Sequence, residues 1–475
     1  MSCLLLMTEL ELNLTPREAS SPDSIKTAVA SHMQLPLSLL GEVVVVRKSV
    51  DARHHDIRIQ LLLHVYRHDE HPERRYAAPV YQDVHHAKRS VVIVGSGPAG
   101  LFAALRLLEH GIRPIIIERG KAVEQRRADI DDLNAHGVFH DESNYCFGEG
   151  GAGTFSDGKL YTRSTKRGDI PRVLQLFHHH GAAPDILSDA HPHIGSDKLP
   201  AIIAHMRHTI LSCGGEVHFG KCMQELLLEN DVLHGCVLDN GEVLATRQLI
   251  LAIGHSAHDT YERLYRQGVD MEPKGFAMGV RAEHPQRLID AIQYHRSNRG
   301  PYLPAATYNC AVQVDGRGVY SFCMCPGGQI VPASSDTTHL VVNGMSLSQR
   351  SSDFANSGIV VETRVEDIPP TFAPYGALAG LHYQESLEAL CRQQAGEGMR
   401  APAQRMLDFV NRRASRSLPR TSYAPGLLPS PLHEWLPTPI CQRLREAFQL
   451  FDRRMHGYLT NDAVIVGVES RSSSP

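Results

Sequence analysis

From its amino end the chain alternates apolar and polar residues over residues 6–14, turns at Ser21-Pro22-Asp23 into helical spacing over 24–33, and then runs through two β-rich stretches, 43–50 and 57–66. Alternation with period two puts successive side chains on opposite faces of a strand, while apolar residues three and four apart share one face of a helix. The pattern therefore predicts β-α-β-β, a small N-terminal α+β module that occupies residues 1–89 together with a polar linker over 68–90.

The pattern changes at Ser90. Ser90-Val91-Val92-Ile93-Val94 is a continuous apolar run of the sort buried on both faces of a parallel sheet, and it leads directly into Gly95-Ser96-Gly97-Pro98-Ala99-Gly100. Pro98 suits a first helical turn, Leu101, Ala104, Leu105 and Leu108 recur at helical spacing, Gly111 stops the helix, and residues 114–118 form a second strand. Farther on the spacing predicts a helix over 199–211 with Asp197 as its N-cap. Runs over 215–219, 223–229, 232–238 and 243–246 predict a meander, with Asn240-Gly241 as a hairpin turn, and the apolar run 249–253 ends at Gly254. From Met271 to about Thr460, strand-like runs (276–282, 311–314, 319–325, 340–344) mix with Pro-rich turns and two helical patterns, 402–411 and 440–451, which reads as a second, substrate-side domain.

Composition narrows the class. The length, 475 residues, predicts about three domains of roughly 150 residues. Hydrophobic residues at 42% and charged residues at 21% exclude collagen, coiled coil and wholesale disorder. The net charge of −4 offers no basic field to nucleic acid or anionic membrane, and residues 1–89 carry 11 basic and 11 acidic side chains, net zero. Ten cysteines spread over the chain predict reduced thiols. The apolar start has no preceding Lys or Arg and is followed by Glu9 and Glu11, a poor signal peptide, and no run approaches 18 apolar residues. A soluble, cytoplasmic protein is expected, with no nucleic-acid or membrane partner and with the N-terminal module left as a candidate protein-docking surface.

The strand-turn-helix context gives the first glycine run its chemistry. Gly95 makes the tight turn, Gly97 lets backbone approach a pyrophosphate, Gly100 lets helix lie on strand, and the helix N-terminus offers free N–H groups to phosphate. Glu118, followed by Arg119, closes the second strand where an acid accepts from ribose hydroxyls and disfavours a 2′-phosphate, so FAD or NAD is expected rather than NADP. A second formal fingerprint, Gly148, Gly150 and Gly153, lies with Gly151 in a loop lacking a preceding strand and a following helix. Its backbone can lie flat against a planar ligand, the alternative being a flexible surface loop.

Residues from about 91 onward resemble a largely uncharacterised family of bacterial FAD-dependent dehydrogenases, of the glutathione-reductase-like or fumarate-reductase-like class. The resemblance is carried by 91–100, 147–160, 192–199, 249–256, 275–285, 322–328 and 467–475, and extends to Arg47-Lys48-Ser49-Val50-Asp51-Ala52-Arg53 in the N-terminal module. It implies an α/β fold, a Rossmann-like FAD-binding domain over 90–262 completed by 463–475, with an inserted α+β substrate domain over 263–462. It implies FAD as cofactor, bound by Gly95 to Gly100, Glu118, Arg119, the Gly148 to Gly153 loop and Gly254. The family's pattern continues into a further glycine-rich stretch, whereas this sequence stops at Pro475. The expectation is either a truncated reading frame or a protein that holds its flavin weakly or not at all.

A flavin carries the redox chemistry, leaving position, charge and proton handling to the protein. Lys159, near Glu149 and Asp157, could set positive charge beside the ring or belong to an ordinary ion pair. His193 and His255 are candidates for proton transfer, although with 28 histidines an ordinary role competes in each case. Arg281 and His284 could hold an anionic substrate, or be a surface pair. Cys323 and Cys325 could react with reduced flavin or close a labile disulfide, or else be two apolar thiols on one face of a strand. No metal site is read from His178-His179-His180. The expected activity is that of a FAD-dependent oxidoreductase, with small-molecule donor and acceptor unidentified and no dedicated NAD(P)H domain. A non-catalytic binding or sensor protein is the alternative, and flavin-dependent RNA modification the least favoured.

Overall fold

The computed structural model describes residues 7–70, 72, 77–161 and 168–472; Cys3 and the Ser473-Ser474-Pro475 end lie outside them. The chain begins with β1 (Thr8–Leu14), α1 (Pro22–Met33), β2 (Leu40–Asp51) and β3 (Arg58–Arg67), an antiparallel sheet of order β1-β3-β2. The Ser21 side chain caps α1 by accepting from the Ser24 N–H, and Ile25, Val29 and Ala30 turn inward, next to buried Leu61 and Leu63 of β3 in the same core. This module is stitched to the body through backbone. The Lys48 N–H donates to the Ser188 carbonyl at 2.8 Å, and the Ala190 N–H donates to the Lys48 carbonyl at 2.9 Å.

Next come β4 (Ser90–Val94), α2 (Pro98–Glu109), β5 (Arg113–Glu118), α3 (Val123–His136), α4 (Ile170–His179), α5 (Leu199–Ser212) and β6 (Glu216–Phe219). Then follow β7 (Met223–Glu229), β8 (Val232–Leu238), β9 (Val243–Ala245), β10 (Leu249–Leu251) and α6 (His258–Arg266). A parallel sheet forms in the order β10-β4-β5-β6, with all of Val91 to Val94 buried as a two-faced strand requires. Two expectations change here. The 215–219 run joins the parallel sheet beside β5, and only β7, β8 and β9 make the antiparallel meander. Asp197 does not cap α5; it accepts from the Ser348 N–H and hydroxyl, both at 2.7 Å, tying the segment before α5 to a distant loop.

The rest of the chain builds a seven-stranded mixed sheet. Its elements are β11 (Phe276–Pro285), α7 (Gln286–Tyr294), β12 (Ala311–Val314), β13 (Arg317–Cys325), β14 (Gly328–Pro332), β15 (Val342–Ser346) and β16 (Phe354–Thr363). They continue with α8 (Ala379–Gln393), β17 (Ala401–Arg405), α9 (Met406–Val410), β18 (Leu427–Pro429), α10 (Leu432–Trp435), α11 (Thr438–Arg454) and β19 (Val464–Arg471). The order is β12-β13-β16-β11-β19-β17-β18, while β14 and β15 pair separately. The helical pattern over 402–411 resolves into strand β17 followed by the short α9. The segment expected to complete the nucleotide domain, β19, instead pairs with β11 and β17 in this larger sheet. One apolar core runs from the N-terminal module through Val123, Ile130 and Leu133 of α3 to the faces of β11, β16 and β19.

Candidate functional site

The carboxyl ends of β4, β5 and β10 open into a cavity of ≈ 880 Å³, within the range of about 300–1,000 Å³ usual for cofactor sites. Gly95, Gly97, Pro98 and Ala99 form its floor, and no side chain caps the N-terminus of α2 there. Its free N–H groups and positive dipole end suit phosphate. Gly97 has φ −67°, and a Cβ there would meet only Gly151 Cα, at 3.8 Å, so a methyl group would fit the fold yet stand in the cavity. Gly100 does not line the cavity; a Cβ there would fall 2.0 Å from the Gly95 carbonyl oxygen, so glycine is what lets α2 lie on β4.

The second glycine run wraps against the first. Gly148, Gly151 and Gly153 line the cavity, residues 151–153 as a single 3₁₀ turn, whereas Gly150 packs inward on Thr154 and Ile203. Glu118 joins the two runs. One of its oxygens accepts from the Ser96 N–H and hydroxyl, both at 2.8 Å, and the other from the N–H groups of Gly120 and Gly148, at 2.9 and 3.1 Å. Four bonds engage a carboxylate fully, so here Glu118 clamps the two glycine runs together rather than offering the free acceptor expected for ribose hydroxyls. Arg119 stacks its guanidinium 4.2 Å from the centre of the Phe147 ring and pairs with Glu142 and Asp259, closing one wall.

The residue that shapes this loop escaped the sequence reading. Arg126, fully buried on α3, donates from Nε to the Asn144 carbonyl and from Nη1 to the carbonyls of Gly148, Glu149 and Gly151 and to the Thr154 hydroxyl, at 2.7–3.2 Å. Burial lowers its pKa to about 10, and it stays charged at neutral pH. Its signal was present: Val123, Arg126, Ile130 and Leu133 follow the 3-4-3 spacing of an inward face, and the arginine fills an apolar slot. Glu149 is likewise buried; it accepts from the Val123 N–H and from Arg207, and burial pushes it up to about 7.

Gly254 and His255 complete the wall at the end of β10. Burial holds His255 down at about 4, so it is a neutral imidazole at physiological pH. A small recess of ≈ 30 Å³ shares Cys146, His255 and Ser256 with the cavity and reaches His258, Glu388 and Arg471. Burial pushes Glu388 up, while His258, which burial alone would lower, is lifted by the Glu385 carboxylate 3.0 Å away.

Other candidates stand elsewhere. Lys159 is not on the cavity wall; it lies 3.7 Å from Asp157, which Arg350 also holds, and its backbone bridges to that of His193. His193 faces the Ser348 carbonyl. Arg281 and His284 are not a surface pair at a strand end. Both are fully buried inside the seven-stranded sheet, Arg281 on Glu469 at 3.0 Å and His284 against the Tyr458 carbonyl with a pKa lowered by burial to about 4. Neither can meet a substrate from solvent. A register shift between Phe322 and Cys325 breaks the period-two geometry that would put both thiols on one face of an unbroken strand.

Comparison with known proteins gives matches to FAD-dependent families. Residues 275–472 match the family described as FAD-dependent protein, C-terminal domain-like; residues 88–136 match an FAD binding domain; residues 7–66 match a domain of unknown function. An uncharacterized protein of Clostridium beijerinckii is 38% identical over 469 residues, covering 95% of this chain and 87% of the relative. Solved structures that it resembles include FqzB at 15% identity (61% of this chain, 55% of that chain, TM-score 0.29) and CtdE in complex with FAD at 12% (60% and 61%, TM-score 0.26). Halogenase PltM is 14% identical (64% and 55%, TM-score 0.31). The chain spans less than two thirds of the length of each of these three solved chains.

Proposed function

The chain belongs to a family of uncharacterised FAD-dependent proteins, and from that premise we propose that it is a FAD-dependent oxidoreductase, a dehydrogenase passing hydride or electrons between a small-molecule donor and a separate acceptor. The observation that carries this reading is the cavity, where two glycine runs and an uncapped helix N-terminus meet at the carboxyl ends of parallel strands. FAD, when bound, supplies the two-electron chemistry. In this reading residues 90–262 are a Rossmann-like unit and residues 263–462 the substrate side.

Gly95 to Ala99 with the first turn of α2 would hold the pyrophosphate, and Arg119 and the 148–153 loop would flank the cofactor. The neutral His255 offers a hydrogen bond and no charge, and Glu388 and His258 in the recess are placed to hold a proton and give it up. The visible absorption spectrum of the purified chain, taken again after adding FAD and washing, tests the proposal. Retained flavin near one equivalent is expected, and a colourless protein that retains none overturns it. Anaerobic mixing with NADH and NADPH then addresses the donor: slow reduction by both is expected, and fast reduction by either would replace the unidentified donor with a nicotinamide.

A further inference from the structure

The Cys323-Met324-Cys325 segment sits where β13 loses register with β16, and Cys323 takes φ +48°, a left-handed conformation that a residue with a Cβ seldom adopts. The Cys325 thiol turns back on this segment and donates to the Cys323 carbonyl at 3.3 Å, and neither cysteine is in a disulfide. They differ in access: Cys325 is fully buried, whereas Cys323 is partly exposed next to the exposed ring of Phe322. Arg281 holds the segment from behind, donating from Nη2 to the Cys323 carbonyl at 2.9 Å and to Cys325 Sγ at 3.5 Å.

The charges around the pair do not balance. Glu469 serves two guanidiniums, accepting from Arg281 on one oxygen at 3.0 Å and from Arg471 on the other at 2.7 Å. Asp157 serves Arg350 and Lys159. Arg281 reaches both cysteines, and the Arg471 guanidinium lies 5.6 Å from the ring centre of Phe322, the residue before Cys323. The remaining acid beside Arg281, Glu283 two residues along β11, is turned to the Ser422 N–H and hydroxyl, and burial pushes it toward its neutral form. Asn343 and Asn356 complete the shell without charge. A buried positive surplus is costly until an anion answers it, and the ionisable groups left at this spot are the two thiols, of which Cys323 is the accessible one.

We propose that Cys323 and Cys325 are a reversible dithiol/disulfide couple that exchanges with a disulfide-bearing substrate, Cys323 being the attacking thiolate and Cys325 the resolving thiol. The Cys325 thiol and the neighbouring cations pull the Cys323 thiol below the ordinary thiol range, while the same coupling pushes Cys325 well up. The exchange balances. Cys323 Sγ attacks one sulfur of the substrate disulfide, whose S–S bond breaks and releases one thiolate. Cys325 then gives up its proton and attacks Cys323 Sγ, releasing the second thiol. Two electrons have passed from the pair to the substrate, and reduction by another dithiol reverses the sequence. The couple stands on the thiols alone and does not depend on the flavin reading.

The test uses the full chain, reduced and washed free of added flavin, and reads each cysteine by peptide mass spectrometry. Iodoacetamide pulses from pH 4 to 9 are expected to alkylate Cys323 with a midpoint at least two pH units below the ordinary thiol value of roughly 8.5. Oxidised glutathione is expected to remove two hydrogens from the peptide holding both residues. Cys325→Ser should instead retain one glutathione on Cys323, and Cys323→Ser should do neither. Alkylation of Cys323 only in the ordinary thiol range, or both thiols left free in oxidised glutathione while Cys325→Ser gains no adduct, overturns the proposal.

Discussion

At the scale of single residues the site depends on side chains that never touch the cavity. Arg126→Ala would leave the Asn144 carbonyl without its donor and take the second donor from the carbonyls of Gly148, Glu149 and Gly151, which keep bonds from the Gly151 N–H, the Thr154 hydroxyl and the Thr154 N–H, at a cost on the order of 3 kcal/mol once the buried slot is emptied. Chemical denaturation should show that loss, and flavin retention should fall with it. Glu149 makes a pH-dependent contribution whose sign is fixed. Its folded pKa, about 7, lies above its unfolded value near 4.5, so the folded chain binds the extra proton between those limits and stability falls as pH rises through them. Glu149→Gln removes that titration. The stability difference between variant and parent should climb in the variant's favour by roughly 3 kcal/mol from pH 4.5 to 7.5 and stay flat beyond, as read by urea titrations across pH. A flat difference throughout would show that Glu149 titrates normally. Arg126 was hidden from composition and motif reading because its acceptors are carbonyls, which carry no sequence identity, whereas the glycines of the same loop were visible because only their lack of a Cβ permits the packing.

At the scale of elements, β4, the turn and α2 form a unit whose glycines divide into two kinds. Gly97→Ala is expected to fold with stability within about 1 kcal/mol of the parent yet bind FAD at least tenfold more weakly, because its methyl meets ligand space and no protein atom closer than 3.8 Å. Gly100→Ala should lose both together, since α2 must leave β4 to admit the methyl. Flavin fluorescence titration beside thermal melts separates the two, and equal loss of stability in both variants would mean that Gly97 packs against protein rather than cofactor. This unit was legible in the sequence because its strand, turn and helix follow one another within 30 residues. The seven-stranded sheet was legible only in pieces. β16 and β19 are buried on both faces, so neither shows the alternation that announces a strand, and their partners in β11 lie 69 to 194 positions away by the paired residues Pro285 with Phe354 and Ala277 with Arg471. Arg281 and His284 were misplaced for the same reason, since burial in a sheet centre depends on partners that no local window contains.

At the scale of the whole molecule, the N-terminal module shares the large core and is tied by backbone bonds to Ser188 and Ala190, so it should behave as part of the body rather than as a bead on a linker. Limited proteolysis within residues 68–89 should yield two fragments that co-elute on size exclusion until denaturant is added; immediate separation would contradict the shared core. The order of synthesis imposes a further condition on the body. Arg281 is made 188 residues before Glu469, the carboxylate that neutralises it. At the translation rate of about 5–20 residues per second, the central strand of the larger sheet waits roughly 10–40 s on the ribosome with an arginine that cannot yet be buried. For that interval β11 is an apolar strand with both edges open or only one filled, and the nascent chain's demand for a holding chaperone should peak there and end when β19 emerges.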